Sequence, residues 1–280
     1  MEYAFYNGVF CEKDKIRVPL SDRSIFFGDG IYEALVGRGG GLYLFDEHYE
    51  RFLRNAAAMD LYPHFSKEEL RSLLSEIISK SGFYEYFIYF QLTRFSEERT
   101  HSYTGDGSNL LITIREHKIP SADKRLRLIT AEDVRYSLCS LKTLNLLPNV
   151  LASKKAESAG CDEAVFIRDG RVTECAHSNV SIIKNGSLIT HPENSFILPG
   201  ITRKRLLFFA KKLGIPCYET PFTKGELISA DAVIVTSTTR LANLASEIDE
   251  IPLKKEENRE AKLLISALYE DYLSAFAGFC

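Results

Sequence analysis

No run of about 18 apolar residues occurs in this chain, and Met1-Glu2-Tyr3-Ala4-Phe5 lacks the basic and apolar regions of a secretion signal. The expectation is a cytoplasmic protein without a membrane span. An excess of positive charge is also missing: a formal net charge of -3 argues against bulk nucleic-acid binding and leaves a small molecule as the expected partner. The six cysteines, at Cys11, Cys139, Cys161, Cys175, Cys217 and Cys280, have neither C-x-x-C nor zinc-type spacing, so they read as reduced thiols and no metal is expected. Cys175 alone lies near other chemically suggestive residues. Neither G-x-x-x-x-G-K-[ST] nor G-x-G-x-x-G is present, which removes support for a nucleoside triphosphate or a dinucleotide. Internal repeats, low-complexity tracts and a steady βαβ rhythm are absent too, and the mixture of hairpin signals with lone helices indicates the α+β class.

What is present is an ordinary globular composition, 45% hydrophobic and 26% charged over 280 residues, enough for one large domain or two modest ones. The first half opens with a hairpin, Ala4-Phe5-Tyr6 and Val9-Phe10-Cys11 around Asn7-Gly8. Strands follow at Ile31 to Val36 and Leu42 to Leu44. A helix then begins at Phe45-Asp46, with Asp46 as cap, Tyr49, Phe52, Leu53, Ala56 and Ala57 inward, and Arg51 off that stripe. A second helix over 66–79 has a capping box, Ser66 with Glu69, and stops at Gly82. Strands at Tyr86 to Arg94 and Leu110 to Arg115 flank a polar loop long enough to suggest function. The polar stretch around Pro120 marks a boundary, which gives a small N-terminal domain over 1–118, a linker over 119–124 and a larger C-terminal domain over 125–280. That second half holds strands at Leu126 to Thr130, Glu163 to Ile167, Val180 to Ile183 and Ala232 to Val235. Its helices are expected near 149–159, 202–213 and 258–276.

Four stretches carry possible chemistry. In Ser140-Leu141-Lys142-Thr143-Leu144-Asn145-Leu146-Leu147 a lysine sits among leucines, where desolvation lowers an amine pKa and favours the nucleophilic form that a Schiff-base lysine needs. Taken alone, the octapeptide reads more readily as a surface lysine between a strand and a helix. Pro199-Gly200-Ile201-Thr202 opens a helix whose N-terminal N–H groups suit a phosphate, although a plain helix start is the simpler reading; Thr236-Ser237-Thr238-Thr239 offers a second run of donors. Glu174 lies between strand-like segments, where it needs a cationic partner if buried and is a solvated hairpin residue if not. Arg99 and His101, with Tyr32, offer the cation and donors that a carboxylate needs.

These residues carry a resemblance. Phe27-Gly28-Asp29-Gly30-Ile31-Tyr32-Glu33, Leu141-Lys142-Thr143-Leu144-Asn145, Thr173-Glu174 with Ser178-Asn179, Leu198-Pro199-Gly200-Ile201-Thr202-Arg203 and Thr236-Ser237-Thr238-Thr239 resemble the fold-type IV pyridoxal-phosphate enzymes, in order and through nearly the whole chain. Tyr32, Tyr89, Arg99 and His101 resemble the substrate-carboxylate residues of the D-amino-acid aminotransferase branch. The resemblance implies a two-domain α+β fold, a small N-terminal α/β domain and a larger, barrel-like C-terminal one. It also implies pyridoxal 5'-phosphate held by Lys142 as Schiff base, with Glu174 on the pyridine nitrogen. Leu198 would pack on the ring, and Arg51, Ile201, Thr202, Ser237 and Thr238 would hold the phosphate. Lys142 would move the proton between substrate Cα and cofactor. Tyr32, Tyr89, Arg99 and His101 would bind the substrate carboxylate, the last two reaching the partner's site in a homodimer. The implied reaction is D-alanine plus 2-oxoglutarate to pyruvate plus D-glutamate; aminodeoxychorismate lyases and branched-chain aminotransferases share the framework. Three departures stand out: Cys175-Ala176-His177 after the glutamate, Glu97-Glu98 before Arg99, and Pro148 after the lysine stretch.

Overall fold

The computed structural model describes residues 1–254 and 258–278, so Cys280 lies outside the described residues. The chain divides into two compact units: one comprises residues 1–118, Leu141–Asn145 and the residues from Ala275 onward, the other Ile119–Ser140 and Leu146–Ser274. The sequence expectation put Lys142 in the C-terminal domain, whereas here it packs in the first unit.

The first unit contains β1 (Tyr3–Tyr6), β2 (Val9–Glu12), α1 (Arg23–Phe27), β3 (Gly30–Arg38), β4 (Gly41–Leu42), α2 (Phe45–Ala58), α3 (Lys67–Ser81), β5 (Glu85–Arg94) and β6 (Ser108–Glu116). Its six strands run in the order β2-β1-β6-β5-β3-β4, all neighbours antiparallel. Asn7 and Gly8 both have positive φ, 44° and 91°, the geometry of a tight hairpin whose twist matches its strands. In β5 the side chains alternate: Tyr86, Ile88, Phe90 and Leu92 are fully buried and join Phe52, Leu70, Leu74 and Ile77 of α2 and α3 in one core. The other face of β5 carries Tyr89 and Gln91. Helix α3 has the expected capping box, with the Glu69 N–H donating to Ser66 Oγ at 3.1 Å and Glu69 Oε2 accepting the Ser66 N–H at 2.7 Å.

Helix α2 departs from its periodicity. Leu44, at φ 51°, precedes the first turn, so Tyr43 and Leu44 form a turn rather than a strand and Asp46 is no cap. Asp46 instead pairs with Lys67 at 2.7 Å and Arg71 at 3.0 Å on α3. Its buried face is Phe45, His48, Tyr49, Arg51, Phe52, Asn55 and Ala56, while Leu53 and Ala57 face solvent. His48 and Arg51 turn inward because the buried Glu33 carboxylate receives them.

The second unit contains β7 (Arg125–Glu132), α4 (Leu147–Ser158), β8 (Glu163–Arg168), β9 (Arg171–Cys175), β10 (Asn179–Lys184), β11 (Ser187–Thr190), α5 (Ile201–Lys212), β12 (Cys217–Glu219), α6 (Lys224–Ile228), β13 (Ala232–Ser237), β14 (Leu241–Ile248), β15 (Ile251–Pro252) and α7 (Arg259–Ser274). The nine-stranded sheet runs β12-β11-β10-β13-β14-β7-β8-β9, with β15 on β14. It is mixed: β7 is parallel to β8 and β14, and β11 to β12. The sheet curls until β9 and β10 touch. One of its faces encloses Leu126, Leu128, Val165, Val180, Val233 and Val235; α5 and α7 cover the other with Leu206, Phe209, Leu264 and Leu268. Both faces of β10 and β13 are therefore buried. Among the described residues no helix is long and apolar enough to cross a membrane.

Candidate active site

In the first unit Lys142 is carried on a short annexe to β3. The Tyr32 N–H donates to the Lys142 carbonyl at 2.9 Å and the Leu144 N–H to the Gly30 carbonyl at 3.1 Å, making an antiparallel bridge between Ile31 and Thr143. Gly28 and Gly30 permit this approach: a Cβ on Gly28 would lie 2.8 Å from Asn145 Oδ1, and one on Gly30 2.9 Å from Leu144 Cδ1. The ammonium of Lys142 rests on the Tyr32 ring, 4.1 Å from its centroid, so an aromatic face is among its neighbours. Tyr32 stacks on Tyr89 at 5.3 Å, and the Tyr89 hydroxyl donates to Gln91 Oε1 at 2.7 Å. The register explains the grouping, since Tyr32 lies opposite Gln91 and Ala34 opposite Tyr89. Burial, then the neighbouring Tyr32, pushes the Tyr89 phenol well above its usual range.

On the opposite face of β3, Glu33 is fully buried and accepts Arg51 Nε at 2.9 Å and Nη2 at 2.7 Å. His48 Nδ1 stands 3.0 Å from the same carboxylate. Burial works against the charge of Glu33, but Arg51 and His48 outweigh it and hold the carboxyl well below its usual range. His48 is driven down by burial, with Arg51 and Lys142 adding to the effect. Arg51, expected at a phosphate, thus has two donors fixed by Glu33. Arg99 and His101 are exposed and gather on Phe27, the Arg99 guanidinium 5.3 Å and the His101 ring 5.5 Å from its centroid.

In the second unit Glu174 lies on β9 and is buried, not a solvated hairpin residue. Arg135 Nη1 donates to its Oε1, and Oε2 accepts Asn179 Nδ2 and the Leu198 N–H, each at 3.0 Å. Arg135 is held in turn by Asp133, Nε to Oδ1 at 2.8 Å and Nη2 to Oδ2 at 2.9 Å. Burial opposes the charge of Arg135, yet Asp133 and Glu174 keep it protonated above its usual range, while Arg135 and Arg168 bring Asp133 down to about 2 against its own burial. Burial pushes the Glu174 carboxyl up to about 7, with Arg135 and the Leu198 N–H pulling the other way.

Between the ordinary carboxylate range and about 7, the folded chain therefore holds a proton on Glu174 that the unfolded chain has released. Its contribution to stability falls as pH rises through that window. Thermal midpoints between about pH 4.5 and 7.5 should fall less steeply in Glu174→Gln than in wild type; parallel profiles would assign the slope to another group.

The remaining predicted donors also lie in this unit. Helix α5 starts after Gly200 without a side-chain cap, leaving Ile201 and Thr202 at an open N-terminus. A Cβ on Gly200 would overlap Asn179 Oδ1, so this helix start is built for close approach. Asn179 pairs with Thr236 across β10 and β13, Thr236 Oγ1 is buried with no hydrogen-bond partner, and Ser237 Oγ lies 3.3 Å from Thr239 Oγ1. Two cations of the α5 run are committed elsewhere, Arg203 to Glu193 and Glu219 and Arg205 to Asp271. Cys175 is fully buried and its thiol is pushed far up by burial, which removes it as a nucleophile.

The sequence did not reveal Arg135, Asp133 or His48. An Asp-x-Arg pair beyond a strand end is a weak signal, and the Arg135–Glu174 contact joins residues 39 positions apart.

The amino-transferase class IV family model matches residues 30–248. D-alanine aminotransferase of Listeria monocytogenes serotype 4b (strain F2365) is 38% identical over 251 residues, covering 88% of this chain and 87% of that protein. The Bacillus licheniformis D-alanine aminotransferase is 38% identical over 248 residues, 87% of each. Among solved structures, branched-chain aminotransferase from Thermoproteus uzoniensis superposes with a TM-score of 0.89 at 23% identity, covering 99% of this chain and 96% of that one. A T.th. branched-chain amino acid aminotransferase complexed with N-(5'-phosphopyridoxyl)-L-glutamate gives 0.87 at 23% identity, with the same coverage. These two structures bear on the fold, and the family model with the curated relatives bears on the lineage: the chain belongs to the class IV aminotransferases.

Proposed function

We propose that the protein transfers amino groups between D-amino acids and 2-oxo acids with pyridoxal 5'-phosphate, taking D-alanine and 2-oxoglutarate to pyruvate and D-glutamate, as a cytoplasmic homodimer. The observation that carries this reading is the Lys142 ammonium on the Tyr32–Tyr89 stack, in a chain whose curated relatives are D-alanine aminotransferases.

The residues fit the cofactor. Glu174 accepts three donors, which leaves a carboxylate position for a ring N–H. The uncapped α5 and the unpartnered Thr236 hydroxyl sit beside Ser237 and Thr238, the donors a phosphate needs. When bound, pyridoxal phosphate supplies the electron sink for the charge that develops at the substrate Cα. Lys142 would attach it and, once displaced by the substrate amine, carry the Cα proton. Glu174 would keep the ring nitrogen protonated, and Arg135 would fix Glu174 in place. Leu198 would pack on the ring. Ile201, Thr202, Ser237, Thr238 and Arg51 would hold the phosphate, Arg51 oriented by Glu33. Tyr32, Tyr89, Arg99 and His101 would take the substrate carboxylate, the last two in the partner's site. An exposed apolar group on α4, Leu147, Val150 and Leu151, is consistent with burial in a dimer.

Amino transfer to 2-oxoglutarate from D-alanine and from L-alanine, followed separately, tests the reading. D-alanine is expected to be preferred. Preference for the L-enantiomer would overturn D-specificity, as expected of a branched-chain enzyme. Pyruvate release from aminodeoxychorismate without an amino acceptor would point to the lyase.

A further inference from the structure

We propose that Arg23 is a positioning residue for substrate-carboxylate recognition: from α1 it fixes the backbone on which Arg99 and His101 are presented. The proposal rests on the reading of those two residues as carboxylate ligands.

The segment between β5 and β6 is polar and includes Gly105 and Gly107, so an ordered conformation needs anchors to offset its lost entropy. One limb supplies its own. Glu97 accepts the Gly105 N–H at 2.8 Å and the Thr104 hydroxyl at 3.2 Å. The limb bearing Arg99 is held from outside the loop. Arg23 Nη1 donates to the Thr100 carbonyl at 2.8 Å and Nη2 to the His101 carbonyl at 3.2 Å. Two consecutive carbonyls on one planar fork fix the two peptide planes that flank the His101 Cα, and with them the direction in which the His101 side chain leaves the backbone; Arg99 stands one residue before the first of these planes.

Arg23 is itself immobilised. It is 3% exposed, its Nε donates to Asp29 Oδ2 at 2.8 Å, and its guanidinium lies 4.7 Å from the Phe27 ring centroid. Asp29 Oδ2 also accepts Arg94 Nε at 3.0 Å. Arg94 closes β5 at the root of the loop, donates to the Met59 and Asp60 carbonyls and covers Tyr103 at 3.6 Å. One carboxylate thus ties the root of the loop and its Arg99 limb to the same point. Phe27 does the same for the side chains, since Arg23, Arg99 and His101 all lie against it. The sequence places these parts within seven residues, Arg23 to Asp29. This gives the first half of that motif a role in recognition, where Gly28 and Gly30 serve the lysine.

Lysine at position 23 keeps the charge and loses the fork, which separates positioning from electrostatics. Steady-state constants for D-alanine and 2-oxoglutarate would be compared in the wild-type, Arg23→Lys, Arg99→Ala and doubly substituted holoenzymes, with hydrogen exchange of the peptide spanning residues 96–104 read on the first two. Arg23→Lys is expected to raise KM about fivefold or more with kcat within about twofold, and to add little once Arg99 is gone, because coupled residues are non-additive. Exchange should quicken in residues 96–104 and stay unchanged in β3. Multiplying effects, or faster exchange spread over β3 and α1 alike, would overturn the proposal and reduce Arg23 to a general anchor. If Arg23→Lys fails to fold, Phe27→Leu, which leaves the Arg23 bonds in place and removes the shared ring, should raise KM more than it lowers kcat; the reverse would count against the proposal. Unchanged KM in Arg99→Ala would instead overturn the carboxylate reading itself, while the exchange measurement still decides whether Arg23 holds the loop.

Discussion

Lys142→Ala is expected to lower amino transfer by about 10^4-fold or more, the scale of loss when a covalent nucleophile is removed. The protein should still fold. The bridge to β3 is made by backbone groups, the Tyr32 N–H on the Lys142 carbonyl and the Leu144 N–H on that of Gly30, and alanine retains them. The Tyr32–Tyr89 stack and the Tyr89 bond to Gln91 are untouched as well. Single-turnover kinetics would measure the loss. Borohydride reduction of the loaded wild type, followed by peptide mass analysis, should place the cofactor mass on the Lys142 peptide and on no peptide of the variant. Residual transfer within about a hundredfold of wild type, beside an unchanged thermal midpoint, would remove Lys142 from the covalent role.

Glu33→Gln should have the largest effect on stability. Glu33 is fully buried and holds Arg51 through two hydrogen bonds with His48 against the same carboxylate. Breaking such a pair from one side strands the other charge, a cost of about 3–5 kcal/mol. Urea unfolding of the cofactor-free protein would read it. The sign of the pH dependence follows from the direction of the shift. Because the folded carboxyl is held below its ordinary range, its contribution is complete above that range and is lost as pH falls through the depressed value. Wild type and variant should therefore converge on acidification; a difference that persists to low pH would trace the loss to packing. Under the proposed role of Arg51 at the phosphate, freeing it from Glu33 should also raise the dissociation constant for pyridoxal phosphate.

Much of the fold was legible because its signals are local. The positive-φ pairs Asn7-Gly8, Asp169-Gly170 and Asn185-Gly186 turn hairpins where the sequence says they should, and the Ser66–Glu69 box caps α3. The face of α2 was misread because hydropathy ranks Leu53 and Ala57 above His48 and Arg51, which the fold buries against the Glu33 carboxylate. Strands β9 and β14 were hidden for a related reason: Glu174 interrupts one apolar run, and alternating small and polar residues dilute the other. The site divides in the same way. A lysine stretch, a helix start and a hydroxyl run announce themselves within a few residues, and the resemblance added their roles. Arg135 showed only its near partner Asp133, because Glu174 and the Phe196 carbonyl stand 39 and 61 residues away.

The bridge between Ile31 and Thr143 has a consequence for assembly during synthesis. The strand that receives the lysine is made over a hundred residues before the lysine itself, and the chain passes between the two units after Lys118, Ser140, Asn145 and Ser274. The lysine segment cannot find its native backbone partner until a previously translated strand is waiting. A fragment beginning at Ile119 would contain Lys142 without its backbone partner, and no single cut leaves both units whole.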